Sequence, residues 1–67
     1  MDKDTRQLLK EATKQGFDVR YNRKGHAEVY DSNGNRITTF SGSSSDRRAW
    51  RNSLAPLRRA GFNWPPR

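Results

Sequence analysis

Cysteine is absent from these 67 residues, so neither a disulfide framework nor a thiolate metal site is available. Histidine occurs once, as His26, and one imidazole among scattered carboxylates does not make a zinc site. No metal and no other cofactor is expected. No apolar run is long enough for a signal peptide or a membrane span. The expectation is a soluble cytoplasmic protein without a membrane partner. Apolar residues are scarce at 30%, and a domain of this size buries only about 60% of its unfolded surface. Two Trp, two Tyr and three Phe supply the bulk for a small core. Negative charge is also short. Seven acidic residues face fourteen basic ones, net +7, and ten of the basic residues are arginine. Guanidinium forks match phosphate oxygens bidentately, so a polyanion such as RNA is the natural partner. The plainer reading of the charge is solubility.

Residues 4 to 15 predict a helix, with Asp4 as N-cap and Leu8, Leu9 and Ala12 on one face. Gly16 supplies a left-handed stop, behind which Phe17 packs. Three short runs of period two follow: Phe17, Val19 and Tyr21; Ala27 and Val29; Ile37 and Thr39. Three-residue loops, Arg23-Lys24-Gly25 and Ser32-Asn33-Gly34, keep the apolar sets on one face. The first loop sets Val19 opposite Val29, Arg20 opposite Glu28 and Tyr21 opposite Ala27. The second sets Val29 opposite Ile37 and Tyr30 opposite Arg36.

After a serine-rich loop, a second helix is expected, capped by Ser45 with Asp46 in its first turn. Trp50, Leu54 and Leu57 form its stripe. Pro56 lies inside that pattern and predicts a kink or a break near Ser53. Gly61 ends the helix, with Phe62 packed behind. The tail, residues 63 to 67, is extended by Pro65 and Pro66, and its Trp64 either folds back over the core or docks a partner. The fold class is α+β, in the order α-β-β-β-α, a three-stranded antiparallel meander with both helices on one face. The other face stays open and is expected to carry Asp18, Arg20, Asn22, His26, Glu28, Tyr30, Arg36, Thr38 and Phe40. Aromatics and arginines on an open sheet suit RNA.

Four pieces of the chain stand in a telling order: the helix end Gly16-Phe17, then Gly25-His26, then Asn33-Gly34-Asn35-Arg36, then Trp50-Arg51-Asn52-Ser53-Leu54 running to Arg58-Arg59-Ala60-Gly61-Phe62. Together, from about Leu8 to Phe62, they resemble the HicA mRNA interferase toxins of bacteria and phages. The resemblance implies a double-stranded-RNA-binding-domain-like fold over residues 1–62, an endoribonuclease that cleaves mRNA without a metal, and a HicB-like antitoxin that covers the active site. It carries His26 over as the catalytic residue and Gly25 as its supporting turn glycine. The chain departs from the family pattern at Lys24, Ala27, the serine run and Pro56.

RNA cleavage of this kind uses the 2′-hydroxyl of the substrate as nucleophile, with one group to take a proton and another to give one. An imidazole, ordinarily titrating near pH 6.5, serves either role. Lys24, Arg20 and Arg36 are the candidate phosphate contacts, with Tyr30 as a further RNA contact and Arg47, Arg48 and Arg51 as a second basic cluster. Glu28 and Tyr30 share the His26 face and are candidates for the second proton carrier, although Glu28 is also placed to pair with Arg20. The alternative is a non-catalytic RNA- or DNA-binding module, or a small protein-binding effector, in which His26 is an ordinary polar strand residue.

Overall fold

The computed structural model describes residues 3–41 and 47–65. Its elements run α1 (Lys3–Lys14), β1 (Asp18–Tyr21), β2 (Ala27–Tyr30), β3 (Arg36–Phe40) and α2 (Arg47–Arg59). The three strands form one antiparallel sheet in the order β1-β2-β3. Leu8, Leu9 and Ala12 of α1, Ala27 and Val29 of β2, Phe40 of β3, Leu54 and Leu57 of α2, and Phe62 make a single core. Both helices therefore cover the same side of the sheet, as the apolar patterns require. No helix among the described residues is long and apolar enough to cross a membrane.

The two helices end alike. Phe17 N donates to Ala12 O at 3.0 Å and Gly16 N to Thr13 O at 3.2 Å, while Phe62 N donates to Leu57 O at 3.1 Å and Gly61 N to Arg58 O at 3.0 Å. Each is a Schellman stop, with glycine in the left-handed position and phenylalanine turned back onto the last turn. The Phe17 and Phe62 rings then meet edge to face at 6.0 Å. Asp4 lies inside the first turn of α1 rather than at the N-cap. A carboxylate there still faces the positive end of the helix dipole. Ser45 and Asp46 lie outside the described residues.

Pro56 does not interrupt α2, contrary to the expected break near Ser53. The carbonyl that loses its donor belongs to Asn52, an exposed residue, where solvent can take the donor's place. The next carbonyl, that of Ser53, accepts the Thr38 hydroxyl at 2.7 Å, tying α2 to β3. The tail folds back at least as far as Pro65. Gln15 Nε2 donates to Asn63 O and Asn63 N to Gln15 Oε1, both at 2.9 Å. Trp64 stacks on Phe62 at 6.0 Å and packs against the core.

The first hairpin has the expected register throughout. The second begins as expected, with Tyr30 opposite Arg36, and then slips. Val29 faces Thr38, Glu28 faces Thr39 and Ala27 faces Phe40, with a bulge between Val29 and Tyr30. Ile37 is the inserted residue. Two residues of β3 thus oppose one step of β2, which reverses the in-out alternation beyond that point. The expected pairing of Val29 with Ile37 is overturned. So is the placement of Thr38 and Phe40 on the open face. Phe40 is 1% exposed, in the core, and Thr38 points to α2.

Both loops close on a left-handed glycine, Gly25 at φ +79° and Gly34 at φ +86°. A Cβ at Gly25 meets nothing within 4 Å, so Gly25→Ala costs only backbone strain. A stability loss of about 1–2 kcal/mol is expected, readable as a shift of the urea midpoint. A loss under a few tenths of a kcal/mol contradicts this account of the turn.

Candidate functional site

The site grows out of the first hairpin. Asn22 N donates to His26 O at 3.0 Å across the mouth of the loop, and Gly25 N donates to Asn22 O at 3.0 Å. Asn22 Oδ1 also accepts the backbone N–H groups of Lys24 at 2.9 Å and His26 at 3.0 Å. Short polar side chains favour this local bonding in turns. His26 is thereby fixed at the entry to β2, half-buried. It shares the parity of Glu28 and Tyr30, while Ala27 and Val29 point into the core. The imidazole therefore belongs to the open side of the sheet and is not sealed under the helices. The second hairpin repeats the device with Asp31, whose Oδ1 accepts from Asn33 N and Asn35 N, both at 2.9 Å.

Glu28 is the hub of the open face. Its Oε1 accepts the Tyr30 hydroxyl at 2.7 Å, its Oε2 accepts Asn22 Nδ2 at 3.1 Å, and Arg36 stands 4.0 Å away. The side chain is only 20% exposed. The Tyr30 and Asn22 hydrogen bonds hold the Glu28 carboxyl below the usual glutamate range, with Arg36 and the charged form of His26 adding to the pull. The same bond raises the Tyr30 phenol above its ordinary value. Arg20, although opposite Glu28 in the ladder, does not pair with it. Its guanidinium binds Asp18 at 2.8 Å and lies over the Tyr30 ring, 5.5 Å from the centroid. Asp18 and Arg20 are neighbours on one face of one strand, and the shorter reach wins.

The structure gathers His26, Asn22, Glu28, Tyr30, Arg20 and Arg36 on the open face. Lys24 projects at the exposed tip of the adjoining loop, next to Gly25. His26 and the Tyr30–Arg36 pair occupy opposite ends of β2, about 13 Å apart at roughly 3.3 Å per residue. Arg47, Arg48 and Arg51 are not part of this group. They are exposed on α2, in the helical layer behind the sheet, where Arg47 lies 3.7 Å from Asp4 and 5.7 Å from the centre of the Trp50 ring. Among the described residues no three His, Cys, Asp or Glu side chains cluster as metal ligands would. Asn22 was missed as a site residue. Its signal was an Asn three residues ahead of a loop-closing glycine.

Comparison with known proteins gives no family. No family model, no curated protein and no solved structure matches this chain.

Glu28 makes the acid limb of stability testable. A carboxyl held low in the folded state contributes stability in full above its unfolded value, near 4.3. That contribution is lost as pH falls through the lower folded value. Asp31 is held low as well, chiefly by the Asn35 amide. Glu28→Gln is expected to flatten part of the fall in Tm below about pH 4.5, leaving the Asp31 share. An acid limb identical to that of the unaltered protein dismisses the network as a source of stability.

Proposed function

We propose that this protein is a HicA-like endoribonuclease, an RNA-cleaving toxin domain in which His26 transfers a proton at the scissile phosphodiester. The observation that carries the reading is the position of His26. It is the one imidazole in the sequence, accessible on the open face, with its backbone held by Asn22 and a fixed carboxylate two residues along the strand.

In the reaction, the RNA 2′-oxygen loses its proton and attacks phosphorus. The bond from phosphorus to the 5′-oxygen breaks, and the departing oxygen gains a proton. His26 supplies one of these two transfers. Lys24, one residue before Gly25, meets the phosphate, and a cation there opposes the charge that builds on its oxygens. Glu28 and Tyr30 make poor proton carriers near neutral pH, because their mutual bond lowers the first, weakening it as a base, and raises the second, weakening it as an acid. They act instead as the floor of the site. On this reading a HicB-like antitoxin seats on the His26 face, in the cytoplasm of a bacterium or phage host.

A second reading is a non-catalytic RNA-binding module. It is favoured by the exposed Arg47, Arg48 and Arg51, which stand apart from His26 on the helical layer. One experiment separates the two. Purified protein and its His26→Ala variant are incubated with a long RNA, and binding and cleavage are followed together. Cleavage lost in the variant with retention intact supports the nuclease. Equal retention with no cleavage by either protein leaves the binding module.

A further inference from the structure

β1 forms one edge of the sheet, and no described strand lies beyond it. Its hydrogen-bonding phase is set at the hairpin, where Asn22 N bonds to His26 O. Bonded and non-bonded pairs alternate along an antiparallel ladder. Arg20 and Asp18 therefore turn their backbone groups inward, to Glu28 and Tyr30. Val19 and Tyr21 turn theirs outward, away from β2. The edge carries neither a proline nor a bulge to blunt it, and such a row of free donors and acceptors is a template for another strand.

The side chains beside this edge are distinctive. Val19 and Tyr21, with Arg6, Leu9, Lys10 and Thr13 of α1, line a shallow groove that runs along it. Two cations and no carboxylate stand in that lining. Tyr21 is the one exposed large apolar residue among those described, at 63%.

We propose that the β1 edge and its groove bind an extended acidic segment of a partner protein, which adds to the sheet as a fourth strand beside Val19 and Tyr21. Polypeptide satisfies both the outward N–H and the outward C=O groups, whereas an RNA phosphate only accepts hydrogen bonds. Carboxylates at alternate positions of the incoming strand meet Arg6 and Lys10 on the groove side. A second copy of the chain is the weaker occupant. It brings another net +7 to the edge, and pairing centred on Arg20 sets two guanidinium groups opposite each other. The inference stands whether or not His26 cleaves RNA.

The test uses the full ¹⁵N-labelled chain and an end-blocked eight-residue peptide of alternating glutamate and valine. The peptide is expected to shift the Val19 and Tyr21 amide resonances and slow their hydrogen exchange by about tenfold or more. Its fully N-methylated counterpart, equal in charge, is expected to do neither. Arg6→Glu combined with Lys10→Glu weakens the peptide by about tenfold or more, worth roughly 1.4 kcal/mol. Tyr21→Pro removes an outward donor and no inward one, so it loses the peptide and keeps the folded spectrum. The proposal is overturned if the peptide leaves both amides unmoved, or if the N-methylated form binds equally. It is overturned equally if an eight-nucleotide oligouridine protects the same amides as well as the peptide does, or if the free chain already dimerises through β1.

Discussion

His26→Ala is expected to lower RNA cleavage by about 10²–10⁴-fold, the usual worth of a positioned acid or base. RNA affinity is expected to change little, because retention by a chain of net charge +7 rests on its lysines and arginines. The pH profile sharpens the test. Histidine is the side chain whose charge ordinarily changes between pH 5 and 8. Two other titratable groups on its face, Glu28 and Tyr30, have been moved away from that range in opposite directions, Glu28 downward and Tyr30 upward. Any change in rate across that range is therefore expected to vanish with the imidazole. A variant that cleaves at the wild-type rate, with an unaltered profile, removes His26 from the reaction.

Phe40→Ala is expected to have the largest effect on stability. Truncating a buried phenylalanine costs about 3–5 kcal/mol, and Phe40 is among the largest fully buried side chains. A 67-residue domain has roughly 3–10 kcal/mol in total. The variant is expected to lose about a third or more of that stability, with the loss measured by urea denaturation at low temperature. The result also tests the bulge at Ile37. Without that bulge Phe40 stands on the open face, where its removal shifts stability by only about 0.5 kcal/mol. A near-neutral Phe40→Ala therefore rejects the slipped register of β3.

The first hairpin was legible because its pattern and its turn agree. Val19, Tyr21, Ala27 and Val29 alternate cleanly, and Gly25 fixes the loop. The second was legible only as far as Tyr30 opposite Arg36. Ile37, Thr38, Thr39 and Phe40 carry apolar groups at both parities, so alternation cannot choose between them. The choice falls to the layer above, where the slipped register buries Phe40 in the core and brings the Thr38 hydroxyl to the Ser53 carbonyl. Nothing local to β3 encodes that contact. The same limit applies to the open face. Position opposite Glu28 pointed Arg20 across the strands, but Asp18 offered a nearer anion along its own strand. Pro56 was read by its local cost, while the exposure of Asn52 keeps that cost small enough for α2 to continue.

The ring contact between Phe17 and Phe62 joins residues 45 positions apart. Closing a flexible loop of that length costs roughly 3 kcal/mol in chain entropy, whereas each hairpin closes over three residues. The cheapest order of assembly forms the meander first and latches the helix ends afterwards. A nascent chain stalled before Phe62 emerges thus presents Phe17 bare beside an unpaired strand edge. That intermediate, more than the finished domain, is where self-adhesion threatens.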